Sequence, residues 1–289
     1  MAAIETAPSF RDTPGKGGRG RAGRNLPAAI SVGVLLAALV TGPLFSPYKA
    51  AFVVVVVLAV AIGIYEVAQA LRTLGAQPAL VPLLVGGIAM VVLAYRNGPD
   101  ALFLGLVLTV LASLAWRLAD PAEGFLRDVA ASTFTAAYVP FLAGFASLLA
   151  VPEDGPRRVA TFLAVVVASD IGGYAAGALL GRHALAPSVS PKKSWEGFVG
   201  SLLACGAVGA VLFVQLFEAS PLLGVGFGVA VALTATLGDL GESMVKRDIG
   251  IKDMGTLLPG HGGIMDRLDS LLPTAPVAYL LIMASLPLP

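Results

Sequence analysis

Nine stretches of this chain are long, apolar and almost free of charge: 27–45, 50–71, 79–95, 101–116, 129–151, 159–181, 197–217, 219–238 and 272–289. Each is close to the roughly 20 residues that carry a helix, rising about 1.5 Å per residue, across a hydrocarbon layer about 30 Å thick. Inside such a layer every backbone N–H and C=O must be satisfied by the chain itself, which favours helices. The fold class that follows is an all-α polytopic membrane protein of about nine transmembrane helices. Composition agrees, with 57% of residues hydrophobic and 13% charged, where a soluble protein carries about 25% charged. The first run is too long for the ~7–15-residue core of a cleaved signal peptide. The seventh and eighth runs are divided only by Glu218 and Pro221, which are read as a tight hairpin.

Residues 1–26 differ from the rest. Gly15, Gly17, Gly18, Gly20 and Gly23 alternate there with Lys16, Arg19, Arg21 and Arg24, the composition of a disordered basic tail. Lys and Arg collect in short cytoplasmic loops, so their distribution tests orientation. With the N-terminus inside, the cytoplasmic side holds 15 of them and the opposite side only Lys49, Arg96, Arg157 and Arg158. The tail and the segments 182–196 and 239–271 are therefore expected to face the cytoplasm.

Several function classes lose their support. A net charge of +1 offers no basic surplus for nucleic acid. Cys205 is the single cysteine and there are two histidines, which rules out a disulfide framework and Cys-rich or His-only metal sites. The chain has no nucleophile-elbow Gly-x-Ser-x-Gly, no glycine-rich phosphate loop ending in Gly-Lys-Ser/Thr and no His-Glu-x-x-His.

Ionisable groups near membrane helices are expensive, so where they gather is informative. Six of the 18 acids, Asp239, Glu242, Asp248, Asp253, Asp266 and Asp269, fall between 239 and 269, with four cations and His261. A connection of about thirty residues far exceeds the usual ~2–8 between helices. Asp239 and Glu242 share a helix face with Ser243, and Asp266 and Asp269 repeat the spacing behind Gly262 and Gly263. Such oxygen donors suit Mg²⁺ beside substrate phosphates; the same acids also suit a solvated loop paired with Lys246, Arg247 and Arg267. The segment Ser188 to Gly197 sets Ser190, Lys192, Lys193 and Ser194 before a helix N-terminus, where a phosphate is attracted; it also suits a membrane-edge anchor with Trp195. Asp170, halfway along the sixth run beside Gly172, Gly173 and Tyr174, is expected to serve or support a site. Glu66, nearer the cytoplasmic end of the second run with no motif around it, is expected to serve the structure.

Taken together, Ser243, Lys246, Arg247, Lys252, Asp253, Gly255, Leu258, Pro259, His261, Gly262, Gly263, Asp266, Arg267 and Asp269 form a string that resembles the signature of the phosphatidate cytidylyltransferases, or CDP-diacylglycerol synthases. The resemblance extends through Gly238 to Ser243, through Ser190 to Gly197 and through Ser169, Asp170 and Tyr174, covering about 165–275. It implies an inner-membrane enzyme, with 27–289 as its transmembrane catalytic domain, that joins CTP and phosphatidic acid into CDP-diacylglycerol and releases pyrophosphate with Mg²⁺ or another divalent cation. On the residues matched, it implies Asp239 and Asp266 as metal ligands, and Lys246, Arg267 and His261 as catalytic groups. Ser190, Lys192, Lys193, Ser194, Ser243, Arg247, Lys252 and Asp269 are implied on the substrate side. Ile171 departs from the Thr common in relatives, and Arg182 from a common Lys. A homodimer is a candidate assembly. The alternatives are a CTP-dependent lipid-alcohol kinase and a secondary transporter; the latter should show repeat-related halves, whereas the charge here gathers in one half.

Overall fold

The computed structural model describes residues 35, 38–48, 50–255 and 262–286. Among them eight helices are long and apolar enough to cross a membrane: α1 Ala50–Arg72, α2 Leu80–Asn97, α3 Pro99–Arg117, α4 Phe125–Leu149, α5 Gly155–Leu180, α6 Trp195–Phe217, α7 Pro221–Ile249 and α8 Met265–Ser285. These carry eight of the nine expected runs. The first, 27–45, lies mostly outside the described residues, with 38–44 helical, and the basic tail lies wholly outside them.

Local chemistry sets the helix ends. The α6–α7 hairpin is as tight as Glu218 and Pro221 imply: Glu218 takes a left-handed φ of 53°, and Ser220 caps α7, its Oγ accepting from Leu222 N at 3.3 Å. Pro221 follows in the first turn, where a missing N–H costs nothing. In α4 the five residues Ala137–Phe141 form a π turn around Pro140, since proline removes one rung of the ladder and the helix widens to accommodate it.

Packing depends on small residues where helices cross. A Cβ at Gly209 would strike the carbonyl of Gly224, and one at Gly172 would strike Ala204 and Gly200. The α5–α6 and α6–α7 crossings therefore bring backbone against backbone, as expected where lipid offers no hydrophobic drive for association. Phe145, Phe162, Val165, Phe213, Phe227 and Ile282 build one apolar core. A second, around Val60, Ile64, Val67, Val139, Met254 and Met265, joins the N-terminal helices to the segment after α7. Outward-facing apolar residues such as Leu179, Leu203 and Leu222 suit a lipid solvent. Between α3 and α4, Arg117 donates to Asp128 at 2.8 Å and to the carbonyls of Pro121 and Glu123. Asp128 also accepts from Gln77 N at 2.7 Å, so one buried ion pair fastens two connections.

One expectation needs correction. The stretch 239–271 is not one long loop: α7 continues for about three turns past Gly238, to Ile249. The polar turns stay helical because their side chains pair along the helix, Ser243 with Asp239 at 3.4 Å and Lys246 with Glu242 at 3.2 Å. The helix stops at Gly250, whose φ of 78° reverses the chain, and α8 begins at Met265 rather than at 272. The fold is all-α as expected, and beside the helices lies one small antiparallel ribbon, β1 Ala184–Ala186 with β2 Ser190–Ser194, pairing Ala184 with Ser194 and Ala186 with Ser190.

Candidate active site

The ribbon is the first component of the site. Its base is fastened by Glu196, whose carboxylate accepts from Arg182 N at 3.1 Å and His183 N at 3.3 Å and meets His183 Nδ1 at 2.6 Å. Trp195 N donates to the His183 carbonyl at 2.9 Å. Ser194 then caps α6, accepting from Gly197 N at 3.1 Å. Gly197 has no room for a side chain, since a Cβ there would come within 2.9 Å of the Gly173 carbonyl on α5. The Ser-Pro-Lys-Lys-Ser-Trp-Glu-Gly segment is thus a rigid strand-to-helix corner that presents Lys192 and Lys193.

Lys193 reaches α7. Its Nζ lies 2.5 Å from Asp239 Oδ2, while Asp239 Oδ1 accepts from Ser243. Here α5, α6, α7 and the ribbon border an open cavity of about 440 Å³ lined by Asp170, Tyr174, Lys192, Lys193, Ser194 and Asp239, among others. Asp170, expected to support a site, faces this cavity. Sequence reasoning proposed two separate charged segments, and the fold brings Lys192, Lys193 and Ser194 of one to Asp239 of the other.

A second group lies further along α7. Lys246 Nζ sits 2.9 Å from Asp266 Oδ1 and 3.2 Å from Glu242 Oε1. Asp266 also accepts from Met254 N at 2.9 Å and Gly263 N at 2.8 Å, and Gly262 makes the turn possible with a φ of 80°. The start of α8 and the segment after α7 are therefore tied together through one carboxylate. Asp269 Oδ1 accepts from Ser270 N at 2.6 Å. Arg247 Nε reaches the Val189 carbonyl at 3.4 Å, linking α7 to the ribbon's turn. Ser190 begins the paired strand β2, Lys252 and Arg267 are exposed, and His261 lies outside the described residues.

The expected metal ligands can be tested against this geometry. Among the described residues no group of three or more His, Cys, Asp and Glu side chains is arranged to hold a metal ion. Asp239 nevertheless fits a hard cation: its side chain stands 37% exposed at the cavity. Glu242, one turn along, is fully buried with Oε2 lacking a hydrogen-bond partner among the described residues. Asp266 is more committed, with both oxygens taken up by Lys246 Nζ and two backbone N–H groups. A carboxylate offers about four lone-pair positions, so these three donors leave Asp266 little capacity for a cation beside them.

Glu66, expected to serve the structure, does so at this arrangement. Glu66 of α1 accepts from Ile264 N at 3.1 Å and Met265 N at 2.8 Å, across a separation that no local pattern reveals. Its only signal was a carboxylate in an otherwise apolar helix.

Comparison with known proteins gives a consistent result. The model of the Cytidylyltransferase family matches residues 24–285. A phosphatidate cytidylyltransferase of Mycobacterium leprae is 44% identical over 95% of this chain and 91% of the relative. One of Mycobacterium tuberculosis is 43% identical over 91% of this chain and 84% of its own. One of Helicobacter pylori is 41% identical over 47% of this chain and 52% of the relative.

Proposed function

Because the chain belongs to the Cytidylyltransferase family, we propose that it is a phosphatidate cytidylyltransferase, converting CTP and phosphatidic acid to CDP-diacylglycerol and pyrophosphate. The observation that carries this reading is the meeting of Lys193 with Asp239 at one cavity, built from the two segments that resemble the family's signature. Both substrates are polyanions attached to, or brought to, a membrane. A site of carboxylates and cations at the ends of spanning helices is chemically suited to them.

The reaction needs no activated side-chain nucleophile. A phosphate monoester already carries an anionic oxygen near neutral pH, so catalysis reduces to aligning two polyanions and offsetting their charge. An oxygen of phosphatidate forms a bond to the α-phosphorus of CTP as the bond from that phosphorus to the bridging oxygen breaks, and pyrophosphate leaves. Lys192 and Lys193 bind the triphosphate, with Ser190, Ser194 and the start of α6 supplying further donors. Arg247 at the end of α7, Lys252 and His261 in the segment that follows, and Arg267 in the first turn of α8 contribute further positive or donor groups, while Ser243 and Asp269 orient groups beside Asp239. Asp239 and Asp266 are the residues that would hold Mg²⁺ or another divalent cation, which would supply charge neutralisation for the phosphates. Lys246, paired with Asp266 and Glu242, adds a positive charge beside the carboxylates.

The apolar helices make this a multi-pass membrane protein. We place it in the inner membrane with the site facing the cytoplasm, a reading supported by the 15 to 4 distribution of Lys and Arg. The test uses full-length protein in detergent with radiolabelled CTP, Mg²⁺ and either phosphatidic acid or an isoprenoid alcohol. A labelled liponucleotide formed only with phosphatidic acid is the expected result. A phosphorylated alcohol in its place would make the protein a lipid-alcohol kinase.

A further inference from the structure

The catalytic segment ahead of α8 is gripped by a side chain that belongs to neither signature segment. We propose that Glu66 of α1 is a positioning residue for the nucleotidyl transfer, setting the first turn of α8 and with it Asp266 and Arg267. This inference rests on the functional reading above for its kinetic consequence, but not for its geometry.

The geometry is specific. The first N–H groups of a helix have no partner within the helix and carry its positive dipole end. In α8 those of Ile264 and Met265 point to the two oxygens of Glu66, at 3.1 and 2.8 Å. Glu66 is thus a helix cap supplied by a different helix, 198 residues away in sequence from the first of these donors. The neighbouring N–H, that of Gly263, goes to Asp266. Two carboxylates therefore divide three successive backbone donors between them, and the direction of Asp266 depends on both.

The surroundings leave Glu66 little freedom. It is 5% exposed, and Ile64 and Val67 beside it on α1 belong to the same apolar cluster as Met254 and Met265. A Cβ on Gly263 would come within 2.5 Å of Glu66 Oε2, and one on Gly255 would collide with the same carboxylate. Two glycines of the signature string are thereby accounted for: they leave the space that the Glu66 head group fills. Loss of its carboxylate frees two donors in an apolar surrounding and allows the turn bearing Asp266 to shift. A displacement of about 1 Å at a reacting centre can cost roughly 100-fold in rate.

The experiment compares Glu66→Ala and Glu66→Gln with Ser132→Ala in the full-length protein. Ser132 is a control of similar kind, because its buried hydroxyl accepts from Ala79 N at 3.0 Å away from the catalytic segment. Expected is a fall in kcat of roughly 10–100-fold for Glu66→Ala, with a smaller fall for Glu66→Gln, which keeps one acceptor. Ser132→Ala is expected within about twofold of wild type at a comparable thermal midpoint. Hydrogen exchange over 262–268 should accelerate in Glu66→Ala and not in Ser132→Ala. Unchanged kcat in Glu66→Ala, or activity in all three variants that simply follows thermal stability, would overturn the proposal. Should wild type form no liponucleotide, the functional reading fails by itself, and the exchange measurement still decides the grip: unchanged protection over 262–268 refutes it.

Discussion

Asp239 and Lys246 show how two acidic and basic groups on the same helix are used differently. Asp239 pairs with Lys193 across elements, and the two side chains are 37% and 23% exposed. Lys246 is only 16% exposed, between Glu242 at 0% and Asp266 at 8%. An exposed pair contributes about 0–1 kcal/mol, whereas removing one partner of a buried pair costs roughly 3–5 kcal/mol. Lys246→Met should therefore lower the thermal midpoint in detergent clearly more than Lys193→Met does. Equal shifts would contradict the buried-pair account. Asp239→Asn keeps the shape and removes a charge from the cavity, so activity should fall about 100-fold or more with folding intact; near-normal activity at limiting Mg²⁺ would remove Asp239 from the metal set. At this scale the sequence revealed charged groups at recognisable spacings, including Lys193 and Asp266. It marked Glu66 as structural but concealed its partners, because an isolated acid in an apolar helix carries no indication of which distant backbone it will meet.

The elements were legible where apolar length alone decides. The hairpin at Glu218 and Pro221 follows from one charge and one proline inside a run too long for a single crossing. The end of α7 was not legible in that way, because hydropathy stops at Gly238 while the helix continues on pairs four residues apart, Asp239 with Ser243 and Glu242 with Lys246. The ribbon escaped notice for a related reason: five residues of β2 contain a proline and two lysines, without the alternation that marks a strand. Its position gives Ser194 two tasks, capping α6 and lining the cavity. Ser194→Ala should cost about 1 kcal/mol of stability and raise the KM for CTP. A thermal melt and a CTP titration of the same preparation check both, and no change in either would separate the cap from the site.

For the whole molecule, the division of labour is between a membrane scaffold and one charged end. Small-residue crossings hold α5, α6 and α7 close, and the second apolar core joins α1 and α4 to the segment that carries Met254 and Met265. The site is therefore formed by both halves of the chain, although its signature lies in the C-terminal half. The proposed orientation rests on the cation count. Single cysteines placed in 182–196 or 250–255, in a Cys205→Ser background, should react with an impermeant reagent only once the inner face is opened. Labelling from outside intact cells would reverse the topology.

The central claim is that the site acts by alignment and charge, with phosphatidate attacking the α-phosphorus of CTP directly and no nucleotidyl adduct on the protein. A covalent route requires an activated side chain to carry the nucleotide and passes through two displacements. The direct route passes through one. CTP made chiral at the α-phosphorus, followed through to CDP-diacylglycerol, measures the difference. The account predicts inversion of configuration; retention, or CTP-derived label bound covalently to the protein in the absence of phosphatidate, would contradict it.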